Sequence, residues 1–220
     1  MERMKIAMIT ASGLGIAALF PALAGVTSTA SVQGASSGAA ETSKFRYVGS
    51  KSCKMCHSSV QHKTWTKTKM GQAFDTLKPG HAKEAKVKHN LNPEKDYTQD
   101  ATCLKCHTTG FGHPGGYVIP DPKDKKAVRR AAKLENVGCE SCHGPGSEYN
   151  KLFREILQTK RKYKIEELYA AGLQKITKDT CTSCHNEHSP TIDAGAPFDF
   201  ETMKDKDLHD RQEMKQREAS

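Results

Sequence analysis

The sequence predicts a mainly α-helical chain with long loops and little or no β structure. Three observations lead there. Val60, Trp65, Met70, Phe74 and Leu77 recur every three to five residues among polar residues, which reads as a helix. Segments dense in Gly and Pro, most plainly residues 108–122, interrupt such stretches and can only be loops. Apolar residues make up 36% of the 220 and aromatic residues 6%, too few for side chains alone to fill a core in a chain this long. Something other than side chains is therefore expected in the interior.

The elements follow in order. Residues 1–30 read as a secretory signal: Arg3 and Lys5 form its positive start, Ile6 to Phe20 its apolar stretch, and Ala22/Ala24 or Ser28/Ala30 its small-residue end, so cleavage is expected near 24 or 30. An uncleaved membrane anchor is the alternative. Thr10, Ser12 and Gly13 inside a short apolar stretch favour cleavage. The expected destination is the periplasm, with an extracellular location as the alternative. Residues 31–44, small and polar, read as a flexible leader, and 45–220 as the folded domain. Within it, helices are expected over 57–77, ending at Lys78-Pro79-Gly80, and over 124–135, 147–159 and 164–173. A charged surface helix is expected over 201–216, and one short strand near Tyr117–Ile119.

Four copies of one pattern punctuate the domain. They are Cys53-Lys-Met-Cys56-His57, Cys103-Leu-Lys-Cys106-His107, Cys139-Glu-Ser-Cys142-His143 and Cys181-Thr-Ser-Cys184-His185. C-x-x-C-H is the attachment signature of c-type haem: two thiols add to the two vinyl groups, and the histidine binds the iron from below. Zinc, a thioredoxin-like pair or a disulfide framework could each use paired cysteines. None of them requires a histidine directly after every pair. With 10 histidines in 220 residues, four such coincidences would arise by chance about 4 times in a million. Four covalently bound haems c with their irons are therefore expected, packed closely in a helical and looped wrapping. They are also the missing core.

Haem changes the reading of charge. The formal net charge is +9, and +8 without the first 30 residues. Eight propionates would bring roughly −8. A nucleic-acid partner is not expected, because the holoprotein nears neutrality and basic residues do not alternate with aromatic ones. Contact with a membrane is expected only through partners or an uncleaved anchor.

Beyond the motifs, the stretch from Leu77 to Gly146 resembles the tetrahaem cytochrome c-554 family. LKPG with KEAK at 83–86, LNPEKDYTQD at 91–100, GFG and GGY around 110–117, and VGCESCHGPG at 137–146 carry the resemblance, together with the order of the four motifs. It implies a mostly α-helical fold with haems in stacked and edge-on pairs. It also implies an open distal face on the haem of the second motif, and a donor similar to hydroxylamine oxidoreductase.

The distal ligands are less defined. His62, His81, His89, His113, His188 and His209 lie outside the motifs. The resemblance implies a distal ligand near His209. Met70 stands where the family has a distal histidine, so His/Met ligation is expected there, with packing in an apolar helix face as the alternative. Past the third motif the family has another distal histidine, near Phe153 here. No histidine lies between His143 and His185, so His62 or His89, less readily His81, or a neighbouring subunit must serve, or that haem stays open. His113 could cap the second haem or stand beside it as a proton donor. His188 reads as structural or solvent-facing. The expected function is electron transfer between a donor oxidoreductase and an acceptor cytochrome, by a monomer or weak oligomer. Reduction of a nitrogen oxide at an open haem and assembly into a conducting filament are the alternatives.

Overall fold

The computed structural model describes residues 44–187, 189 and 198–211. The expected signal segment, residues 31–43 of the leader, His188 and residues 212–216 of the last expected helix lie outside the described residues. Ten α-helices follow one another among the described residues, and no strand is formed. This agrees with the mainly α expectation.

Helix α1, Ser50–His57, starts at Gly49, whose φ of 86° only glycine adopts easily and whose absent Cβ leaves room for the Lys133 carbonyl. A π turn, Ser58–His62, joins it to α2, Lys63–Trp65, and a 3₁₀ helix covers Met70–Leu77. The continuous helix expected over 57–77 is thus broken. The reason is local competition: Thr64, Thr66 and Thr68 each turn a hydroxyl back onto a carbonyl three or four residues earlier. Gly71 then packs so closely that a Cβ would lie 2.2 Å from the Trp65 carbonyl oxygen.

Helix α3 spans Lys83–Lys88, and α4 spans Ala101–His107 with the Asp100 carboxylate accepting from the Thr102 amide at 2.9 Å. Residues 108–122 form the expected loop. The short strand expected near Tyr117–Ile119 is absent. The Tyr117 amide donates to the Thr109 carbonyl at 2.9 Å, but Pro120 has no amide to extend a ladder, and the one bridge nearby pairs Thr108 with Glu135. Helix α5, Lys125–Ala131, is capped by Asp124 and is shorter than expected. Helix α6 is Cys139–His143, α7 Ser147–Thr159, α8 Ile165–Ala170, α9 Lys178–Thr182 and α10 Phe200–Met203. The long helix expected from 201 reduces to α10, because Lys204–Asp207 turn and Asp207 takes a φ of 54°.

Two small apolar clusters support these elements. Phe74, Leu77, Tyr97, Leu104, Tyr117, Ala131 and Leu134 pack around α4. Ile156, Tyr163 and Leu168 pack between α7 and α8, and Arg161 pins the same hairpin from outside by pairing with Glu155 and Glu167. No helix among the described residues is long and apolar enough to cross a membrane.

Candidate haem-binding site

The first two C-x-x-C-H motifs close helices α1 and α4, the third makes up the whole of α6, and the fourth begins in the last turn of α9 and runs past its end to His185. None of the eight cysteines pairs with another in a disulfide. A helical turn over C-x-x-C places both thiols on one side, with the histidine following on the next step. Tertiary contacts then bring the motifs together. The Cys139 sulfur, then burial, push the Cys53 thiol up, so the first and third motifs touch. Contact with Cys184, then burial, push the Cys106 thiol up, joining the second motif to the fourth. Cys142 lies near Cys181 and Cys184 and links the third motif to the fourth.

Glu140, between the cysteines of the third motif, is 1% exposed. Its carboxylate accepts from the amides of Val48 at 2.9 Å, Gly49 at 2.6 Å and Gly146 at 2.6 Å. It thereby ties the entry of α1 to the start of α6 and to the N-cap of α7. Burial outweighs these bonds and raises its pKa. Nothing in sequence spacing signals this role, because it depends on chain segments 91 and 92 residues apart.

Between α1, α6, α7 and α8 lies a cavity of about 400 Å³. Trp65, Tyr149, Phe153, Tyr163, Leu168 and Leu173 give it an apolar wall, and four imidazoles reach it: His57, His62, His143 and His209. The rings of His143 and His209 have centroids 6.1 Å apart, with planes inclined by 30°. His57 faces Phe153 at 6.4 Å and 21°. His62 lies against Trp65 at 5.6 Å.

The second motif has a built supporting contact. His107 Nδ1 is 2.7 Å from the Ala73 carbonyl and 3.2 Å from Thr76 Oγ1. A carbonyl can only accept, so Nδ1 carries the proton and Nε2 is left as a lone-pair donor. His185 stacks on Phe198 at 4.6 Å. Burial lowers the pKa of His57, His107, His143 and His185, which favours the neutral imidazole that binds metal.

Of the distal candidates, the fold brings His62 and His209 to the cavity. Met70 is half-buried and is not among the residues lining it; its carbonyl accepts from the Val137 amide at 3.2 Å. His89 caps the end of α3. His113 is exposed in the loop, 6.4 Å from the Tyr47 ring. His81 borders a separate cavity that includes Thr76.

Residues 52–144 match the family model described as cytochrome c554 and c-prime. Over 158 residues the chain is 39% identical to cytochrome c-554 of Nitrosomonas europaea, covering 69% of this chain and 63% of that protein. The structure of reduced cytochrome c554 from Nitrosomonas europaea superposes with a TM-score of 0.66 at 30% identity, covering 80% of this chain and 91% of that one.

The chain belongs to the cytochrome c554 family.

Proteins of this family carry four covalently attached c-type haems with iron, as the four motifs led us to expect. The residues present fit that group. Among the described residues no three His, Cys, Asp or Glu side chains converge as a bare metal ion requires. A macrocycle-held iron asks less: two thiols for the ring and an axial nitrogen, which each motif supplies. The cavity adds an apolar wall of the kind a macrocycle packs against, and the Ala73 carbonyl orients one of the four imidazoles.

Proposed function

We propose that this chain is an exported electron-transfer protein whose four C-x-x-C-H motifs each attach one haem c. Cys53 and Cys56, Cys103 and Cys106, Cys139 and Cys142, and Cys181 and Cys184 form the thioethers. His57, His107, His143 and His185 are the proximal ligands, and His209 is the second ligand on the iron of the third motif. Bound haem supplies a one-electron iron couple at each site. The chain's own residues fix the spacing of the groups, orient the imidazoles and exclude water. Donor and acceptor are redox proteins, docking through small transient interfaces in the periplasm.

One observation carries this reading: the thiols of motifs one and three, two and four, and three and four are neighbours in space. Attached groups at such sites form a continuous series, and electron passage needs that continuity. The test is the mass and potentiometry of protein exported by a host that attaches haem c. Four haem masses and a reversible multi-step titration are expected. A mass short of four haems, or sites that exchange no electrons with one another, would overturn it.

A further inference from the structure

The segment between the 3₁₀ helix and α4 is folded onto itself by backbone bonds. The Gly80 amide donates to the Pro93 carbonyl at 2.9 Å, the Leu91 amide to the Lys86 carbonyl at 2.7 Å, and the Tyr97 amide to the Leu77 carbonyl at 2.9 Å. Inside this fold lies Lys86, only 5% exposed. Its Nζ donates to the Lys78 carbonyl at 2.7 Å and stands 5.4 Å from the centre of the Tyr97 ring. Both partners are neutral. Burial works against its charge, and the nearby Glu94 and Asp96 support it. Glu94 itself pairs with Lys83 at 2.8 Å. Burying an ammonium whose direct contacts are neutral costs free energy that an apolar side chain would not.

The site that Lys86 adjoins is the second motif. Tyr97 and Leu104 belong to one apolar cluster, and Cys103 packs against it. Leu77, which holds Tyr97, ends the same 3₁₀ helix whose Ala73 carbonyl orients His107. The Cys103 thiol, pushed up chiefly by burial, is drawn back by the charges of Lys95 and Lys86. Lys95 lies over the same Tyr97 ring at 4.8 Å, but it is exposed.

Resting on the reading that the second motif attaches a haem, we propose that Lys86 is a buried cation that raises the reduction potential of that site. One electron from the redox-protein donor turns ferric iron ferrous and removes one positive charge from the site, and no bond forms or breaks. A fixed cation nearby opposes the oxidised state more than the reduced one. Salt and water screen a buried charge far less than an exposed one, so Lys86 acts more strongly than Lys95.

The experiment is a potentiometric titration of the holoprotein for the wild type, Lys86→Met, Lys86→Arg and Lys95→Met, at about 0.05 M and about 1 M salt. Mass spectrometry first counts the haems, and a wild type lacking the second-motif haem would refute the underlying reading rather than this one. With four haems present, Lys86→Met should lower one of the four midpoints at both salt concentrations, and Lys86→Arg should keep it at the wild-type value. Lys95→Met should lower the same midpoint less, and high salt should erase that shift. Unchanged midpoints in Lys86→Met would overturn the proposal, as would an equal fall in Lys86→Arg, which would assign the effect to packing. Should Lys86→Met fail to accumulate, Lys86→Gln decides. A lowered midpoint supports the proposal, and an unmoved one defeats it.

Discussion

At the scale of single residues, the buried carboxylate of Glu140 holds the site's entry in place. It satisfies amides from three positions in two distant segments, and removing it strands them away from water. Glu140→Ala should cost about 3 kcal/mol in guanidinium unfolding of the holoprotein, with Glu140→Gln costing less than half of that. Tyr117 gives a pH dependence. Burial first, and then the Glu135 charge, push its phenol from 10.0 up to about 12. Between these values the native state keeps a proton that the unfolded chain has lost. The stability contributed by the neutral phenol is therefore whole below pH 10 and is lost as pH rises through about 12. Denaturation midpoints measured from about pH 9 to about pH 12 should fall, and Tyr117→Phe should flatten that fall.

At the scale of elements, the broken run from Ser50 to Leu77 sets where the imidazoles point. The π turn separates His57, which faces Phe153, from His62, which lies against Trp65, and the tight step at Gly71 lets the 3₁₀ helix fold back so that Trp65 Nε1 donates to the Val137 carbonyl at 3.0 Å. Gly71→Ala would force a Cβ into the Trp65 carbonyl, and overpacking of this kind costs about 1–3 kcal/mol. The same variant should perturb the near-ultraviolet signal of the single tryptophan. Gly116 is tighter still, since a Cβ there would lie 1.7 Å from the Gly110 carbonyl oxygen. Gly116→Ala should reopen the loop between α4 and α5 and raise proteolysis there. The α7–α8 hairpin, by contrast, is one cooperative wall of the cavity: Ile156, Tyr163 and Leu168 hold its inner side, and Phe153 reaches into the cavity from it.

At the scale of the whole molecule, ten of the eleven buried apolar residues among those described fall into two small clusters, and further apolar side chains, Trp65, Phe153 and Leu173 among them, line a cavity. A chain built this way depends on what fills it. The double variant Cys53→Ala/Cys56→Ala should lose one haem mass and unfold at a markedly lower denaturant concentration, with a less cooperative transition, because the cavity wall loses its partner. The sequence by itself determined the four motifs, the mainly helical character, the loop at 108–122 and the helix at 147–159. All of these rest on neighbours in the chain: thiols and histidine within five residues, apolar residues one helical turn apart, glycines and prolines in succession. The helix breaks at 58–62 and 66–71 were hidden, since hydroxyls competing for carbonyls leave the apolar spacing intact. The pairing of the first motif with the third, the role of Glu140 and the choice of His209 and Phe153 as the rings facing His143 and His57 were decided only by the tertiary structure. They join residues 66 to 96 positions apart, and what stands opposite an imidazole is fixed by the packing of two helices rather than by the spacing within either.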